Sequence, residues 1–371
     1  MIEQTARLLW EACRRKPNPV AIEKAIACGA DVALASSAAE EHRIGPLLWR
    51  TLAAADSLGA LGPARRTLQG VASANKMEAL LLLPRSVALA VRPLTDAGLE
   101  PVILKGPVIA DRYPEPGLRP MDDIDILLPP ADHAAALSVL VRNGWNIARA
   151  GRRDLYDSVL THPDVPTFSL ELHYGLESPS QRVTTLDANT LWRTRLPIDC
   201  MGTPAFGLPA AEELVVLAAH AGKPHHGFAR MIWIADLAML IGVETHDKPT
   251  MDWERVAAIA RENRCLTVTA AALALARRVG VDSPGTLFPL PEHGVRGETF
   301  RRLLRVTWPL DHLDLPGYRL NYALTDSPLQ RIKILIVLRA SGHRIGTRVR
   351  ALLSRDDPRY PVGVEGGSRT R

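Results

Sequence analysis

The spacing of apolar positions divides the chain into a helical stretch, a strand-bearing stretch and a second helical stretch. Residues 2–16 and 19–28 carry helical spacing on either side of Pro17-Asn18-Pro19, and a third helix is expected over 38–55, with Ile44, Leu47, Leu48 and Leu52 on one stripe. From 64 to 97 the pattern predicts one long helix, or two broken near Pro84. The period then shortens. Val102-Ile103-Leu104 is a short continuous apolar run of the kind that forms a buried strand. A short helix (107–112), a strand (124–128), a helix (131–143) closed by Asn143-Gly144 and an extended segment (145–149) follow. A further strand over 167–173 places Phe168, Leu170 and Leu172 on one face and Ser169, Glu171 and His173 on the other. From Pro209 onward the helical period returns over 210–221, 229–242, 252–262, 266–279, 296–306 and 328–353, with a proline-rich linker at 280–294.

This order predicts an α+β protein with a small mixed-sheet core flanked by N- and C-terminal helical regions. The expected divisions are 1–95, helical; 96–208, the sheet core; 209–360, helical; and a disordered tail over 361–371, where Gly366-Gly367-Ser368 lacks any periodicity. A chain of 371 residues, 47% hydrophobic and 23% charged, has ample material for a core. Cys13, Cys28, Cys200 and Cys265 are scattered without a C-x-x-C pair, which argues for reduced thiols rather than a disulfide framework. The first 20 residues lack a signal-peptide layout, and no apolar run approaches the ~18 residues of a membrane span, so a cytoplasmic location is expected. The net charge of +5 is uneven: ten Lys/Arg against four Asp/Glu between Asp326 and Arg371 give that segment +6. It reads as a solvated helix face and terminus, or as a patch for an anionic partner.

The chemistry concentrates between residues 104 and 174. Asp123 and Asp125, spaced i, i+2 on a strand, share one face while Ile124 and Ile126 share the other. Two carboxylates on one strand face repel each other and lose hydration, and a divalent cation offsets both costs. A hard cation such as Mg²⁺ is held by one or two carboxylates together with substrate phosphates. Gly106 allows the backbone to come close to a phosphate, Pro107 suits the first position of the following helix, and Lys105 and Arg119 are cations able to neutralise phosphate charge. Glu171 stands where it can approach the Asp pair from a neighbouring strand.

The ordered set Leu104-Lys105-Gly106, Tyr113-Pro114, Arg119-Pro120, Asp123-Ile124-Asp125 and Glu171-Leu172-His173-Tyr174 resembles the nucleotidyltransferase superfamily typified by DNA polymerase beta. Within it, the set is similar to an uncharacterised bacterial branch, the NTP-transferase 5 type. The resemblance implies transfer of a nucleoside monophosphate from an NTP, ATP among the candidates, to an unidentified acceptor with release of pyrophosphate. The acceptor classes are a small molecule, a peptide or protein, or an RNA end. It implies Mg²⁺, with Mn²⁺ as a substitute, at Asp123, Asp125 and Glu171 as catalytic and metal-holding residues, and nucleotide binding at Lys105, Gly106 and Arg119. One departure stands out. The superfamily usually places Gly-Gly or Gly-Ser after the first strand, whereas Pro107 here removes an N–H or hydroxyl that would touch the triphosphate, and Lys105 is the compensating cation.

Two other classes fit parts of the sequence. The same fold can serve as a catalytically weak nucleotide-binding or interaction module, a reading that Pro107 supports. A metal-dependent phosphohydrolase would draw on His220, His225, His226 and the pair His246-Asp247, although the latter lacks the companion His and Asp spacing. Asp236 lies in the apolar run Met231 to Leu237, where a carboxylate needs a partner, and an inter-helix link through His220 and Asp236 is expected. Arg305 and His312 have a nuclease-like spacing that Pro309 interrupts.

Overall fold

The apolar runs around residue 103 and the Asp-bearing run at 123 pair as neighbouring strands, and the rest of the molecule is arranged on the two faces of the sheet they begin. The computed structural model describes residues 1–151, 156–177, 184–223, 226–242, 251–311 and 317–341. Strands β1 (Val102–Leu104), β2 (Asp123–Leu127), β3 (Asn146–Arg149), β4 (Asp157–Thr161), β5 (Ser169–His173), β6 (Leu196–Cys200) and β7 (Thr203–Gly207) form one mixed sheet of order β3-β4-β5-β2-β1-β7-β6. The β2–β5 and β1–β7 pairs are parallel; the others are antiparallel. The helices before the sheet are α1 (Ile2–Ala12), α2 (Pro19–Ala27), α3 (Val32–Glu41), α4 (Gly45–Ala54), α5 (Ala64–Met77) and α6 (Leu83–Asp96). Those among the strands are α7 (Gly106–Ala110), α8 (His133–Arg142) and α9 (Ala188–Arg193). After the sheet come α10 (Ala210–Ala221), α11 (Ile232–Ile241), α12 (Trp253–Glu262), α13 (Leu266–Ala276), α14 (Gly294–Leu303), α15 (Gly317–Leu324) and α16 (Pro328–Ser341).

Strand alternation sorts the core. Ile103, Ile124, Ile126, Leu170 and Leu172 point to the back of the sheet, where the α6 stripe Leu83, Val87, Ala90, Val91 and Leu94 and the α8 residues Ala136, Val139 and Leu140 cover them. Val102, Leu104 and Leu127 point to the front and join one continuous core with α1, α4, α10, α11 and α13. Both flanking helical regions together therefore pack on the front face. Direct bonds join those two regions: the Trp10 indole donates to the Val306 carbonyl at 2.8 Å, and the His42 ring bonds the carbonyls of Ala229 and Pro309.

The α+β class is as expected, and the sheet is larger than the pattern indicated. Strands β4, β6 and β7 and helices α9 and α15 add to the expected elements. The β6–β7 hairpin carries Pro197 and Pro204, which normally argue against a strand; Pro197 is tolerated on β6 at the sheet edge, and Pro204 near the start of β7, ahead of Phe206 where β7 pairs with β1. Its turn, Met201-Gly202, has positive φ at both residues, the twist-matched arrangement for a two-residue hairpin. The helix expected over 38–55 is two, α3 and α4, parted at Arg43, whose φ of 58° cannot continue a right-handed helix. Near Pro84 the helical path widens into a π-turn at Glu78–Leu82 before α6 begins, since proline supplies no N–H to the preceding turn.

The tail at 361–371, the helix expected beyond Ser341, His246-Asp247, His225 and His312 lie outside the described residues. Among those described, no helix is long and apolar enough to cross a membrane.

Candidate active site

The parallel register of β2 and β5 sets Asp125 directly beside Glu171, on the front face of the sheet. His173, two residues further along β5, projects from that same face. Its Nε2 lies 2.7 Å from Asp125 Oδ1 and 3.4 Å from Glu171 Oε2. Asp125, Glu171 and His173 each offer one donor atom to a group lying within 4.8 Å of one another. Asp125 and His173 are nearly inaccessible, while Glu171 keeps 27% of its side chain exposed toward the open side. Asp123 stands outside this trio and is coupled to it through the field. Burial and then the neighbouring Asp125 push its carboxyl up to about 6.

Lys105 closes the cluster from β1. Its Nζ is 3.0 Å from Asp125 Oδ1 and 3.2 Å from Nδ1 of His220 on α10. Burial alone would lower this lysine, but Asp125, Asp123 and Glu171 outweigh it and hold the ammonium charged. Burial, then Lys105, push His220 well below the ordinary histidine range, so its neutral Nδ1 accepts from the ammonium. Burial would likewise lower His173, yet its bonds to Asp125 and Glu171 lift it to about 9. Asp125 is thus flanked by an ammonium and an imidazolium. Burial raises its pKa, and these two cations more than reverse the effect, so it stays ionised.

The turn after β1 is strained in a useful way. Lys105 has φ 50° and ψ −117°, a conformation that non-glycine residues avoid. Its backbone N–H is held by Oε1 of Glu213 at 3.1 Å, a carboxyl buried under the turn by α10. Gly106 is closely packed: a Cβ there would press on Met121 Sδ at 3.3 Å and touch the Asp123 carbonyl oxygen at 3.6 Å and Arg119 Nη1 at 3.8 Å. Arg119 spends Nε and Nη2 on Asp236 of α11 at 2.8 and 2.9 Å, and the Tyr113 hydroxyl donates to the same carboxylate at 2.8 Å. His220 and Asp236 each meet a motif residue, Lys105 and Arg119 respectively, instead of linking to each other. Asp122 leaves the cluster and pairs with Arg43, Nη2 to Oδ1 at 2.7 Å.

Lys105, Arg119, Asp123, Asp125, His220 and Asp236 line a cleft, open to solvent, between the sheet and α10 and α11. Its walls include Lys105, Arg119, Asp123 and Asp125 from the motifs, with Arg43, His226, Arg230 and Trp233 opposite. His226 packs on Trp233 with ring centroids 4.6 Å apart, and Arg230 lies over the same indole at 6.0 Å. Among the described residues, the metal-capable group is the Asp125–Glu171–His173 trio, and neither His220 nor His226 belongs to one. Sequence reading brings Asp123, Asp125, Glu171, Lys105, Gly106 and Arg119 to one place, as observed. It passes over His173, although the i, i+2 spacing from Glu171 already puts that ring on the same face. It also passes over Glu213, whose role depends on a contact 108 residues away in the chain.

The carboxylate oxygens suit a hard divalent cation, and the buried charge they share, now balanced by Lys105 and His173, is of the kind such an ion would neutralise. A family model described as an uncharacterised nucleotidyltransferase matches residues 29–280, and the chain belongs to that family. The match spans the sheet, the motifs and the helices α10 and α11 that wall the cleft. No curated protein and no solved structure matches the chain.

Proposed function

We propose that this protein transfers a nucleoside monophosphate from an NTP to a hydroxyl or phosphate acceptor, with a divalent cation, Mg²⁺ or Mn²⁺, held by Asp125 and Glu171 with Asp123 beside them. The observation that carries the reading is the register of β2 on β5, which sets Glu171 beside Asp125, itself bonded to Lys105 in the wall of the cleft together with Asp123. The cation would supply charge neutralisation at the transferring phosphate. The chain's own groups do the rest. Lys105 and Arg119, the latter aimed past Gly106 by Asp236, bind and orient the phosphates, and α10 and α11 limit water access. In the transfer, the acceptor oxygen bonds to the α-phosphorus, the bond to the bridging oxygen breaks, and pyrophosphate leaves. Asp123, near 6, is the carboxylate best matched to hold the acceptor's proton.

One observation favours a second reading, a nucleotide-binding module with weak catalysis: both Lys105 and His173 already occupy Asp125 Oδ1. Calorimetric titration with each NTP, with Mg²⁺ and in EDTA, separates the two. The enzyme reading expects Mg²⁺ to strengthen NTP binding at least tenfold. Equal affinity in both buffers supports the binding module.

A further inference from the structure

Two cations share one carboxylate oxygen in the cleft. Lys105 Nζ stands 3.0 Å from Asp125 Oδ1, and His173 Nε2 stands 2.7 Å from the same atom. All three side chains are buried, so solvent and salt screen these contacts little. The carboxylates of Asp123, Asp125 and Glu171 all act on Lys105, and the two positive groups leave the cluster with a single net negative charge. The buried Lys223 adds its own positive charge in the field of Asp125 and Glu171. A divalent cation drawn to Asp125 therefore meets an ammonium already on Oδ1. Like charges on one buried oxygen repel strongly, and little negative charge remains to offset the repulsion.

The two cations differ in their freedom to yield. His173 is a rigid ring, stacked on Tyr156 with planes 17° apart and held a second time by Glu171 at 3.4 Å. The Lys105 ammonium ends a flexible stem, and its other partner, the neutral Nδ1 of His220 at 3.2 Å, offers it no charge. The surroundings decide where it can turn. On one side, Leu104, Leu176, Leu186 and Val216 close a space with room for about one water. On the other, Lys105 lines the open cleft. An ammonium displaced from Asp125 turns to that side and needs a new anion, since a buried charge left unpaired is costly. The cleft's other acids are taken: Asp236 by Arg119 and Tyr113, Asp122 by Arg43, and Asp123 stands beside the incoming cation.

We propose that Lys105 and the divalent cation are alternative occupants of Asp125, and that a phosphoryl group of the NTP takes up the displaced ammonium. The site then holds free cation weakly and accepts cation and triphosphate together, as one metal–nucleotide complex. The competition at Asp125 stands on the geometry of the cluster. The phosphoryl partner rests on the nucleotidyl-transfer reading.

The test is Mn²⁺ binding to the full chain without nucleotide, read from the electron paramagnetic resonance signal of free Mn²⁺, with melting temperatures alongside. Lys105→Met keeps the stem and removes the charge. Its Mn²⁺ affinity should exceed that of the wild type tenfold or more. Lys105→Arg, which keeps the charge, should bind Mn²⁺ as weakly as the wild type, and adding Asp125→Asn to Lys105→Met should abolish the gain. Should Lys105→Met not fold, Lys105→Gln, which keeps a donor for Asp125 and His220, carries the same comparison. A gain of less than tenfold in the charge-free variant overturns the proposal, as does a gain that survives Asp125→Asn or appears equally in Lys105→Arg. Calorimetric titration of the wild type with ATP in the presence of Mn²⁺ separates the competition from the reading beneath it. The expected gain in Lys105→Met without any ATP binding by the wild type keeps the competition at Asp125 and overturns the nucleotidyl-transfer reading instead.

Discussion

Arg119 grips Asp236 with two parallel hydrogen bonds, at 2.8 and 2.9 Å, and the carboxylate is completely buried. This pair fastens the loop before β2 to α11, so that the motif residues and the helical wall of the cleft are held as one unit. Burying such a pair is not itself a large source of stability, but breaking it from one side is expensive.

Asp236→Ala should therefore destabilise the fold by about 3–5 kcal/mol, because it leaves the Arg119 guanidinium buried and unpaired. Asp236→Asn, which keeps an acceptor, should cost less. Urea unfolding measures both. A loss for the Ala variant within the error of the extrapolation would mean that Arg119 relaxes into solvent and is not held for phosphate binding.

Asp123→Asn and Asp125→Asn should both abolish transfer while acting oppositely on stability. The Asp123 carboxyl is raised to about 6, so its contribution to stability is present below the ordinary carboxylate value and lost as pH rises through 6. At pH 7.5 the Asn variant removes that penalty and should melt at or above wild type. Asp125 is held below the ordinary range by Lys105 and His173, so its contribution is present at neutral pH and lost on acidification. Asp125→Asn forfeits it and should melt lower. Repulsion between the two acids alone would predict relief in both variants; the structure limits that relief to Asp123. Thermal melts without divalent cation decide, and equal shifts for the two variants would contradict the arrangement.

Much of this site is legible in the sequence because strand geometry is local. The i, i+2 rule alone puts Asp123 with Asp125 and Glu171 with His173. That β2 and β5 lie side by side follows from no spacing, since about forty residues and two other strands intervene. The cations that balance Asp125 are legible only as residue types. Lys105 looks free to meet phosphate in the sequence, and the fold gives it to Asp125 and His220 first. The β6–β7 hairpin is hidden by its prolines, Pro197 on the edge strand and Pro204 near the start of β7.

Glu213→Gln should flatten the pH dependence of stability. Burial pushes this carboxyl up to about 8, so the wild type is stabilised below the ordinary glutamate value and loses that contribution as pH rises through 8. The amide oxygen can still accept the Lys105 N–H. Melting curves between pH 5 and 8.5 should show a smaller fall for the variant than for the wild type. Parallel curves would mean that Glu213 is ionised under the turn.

Lys105→Ala should weaken NTP binding more than nucleoside monophosphate binding, by about 1.5–3 kcal/mol for the charge-assisted contacts to the added phosphates. Calorimetry with both ligands measures the difference. Equal losses would assign Lys105 to balancing Asp125 and nothing more.

The most direct test uses two radiolabels. The protein is incubated with a cell extract, a divalent cation and an NTP carrying the label at either the α- or the γ-phosphorus. The account predicts that the α label passes to an extract component with the wild type and not with Asp125→Asn, while the γ label leaves in pyrophosphate. Retention of the γ label in the product, or transfer of the α label at wild-type level by Asp125→Asn, would contradict it.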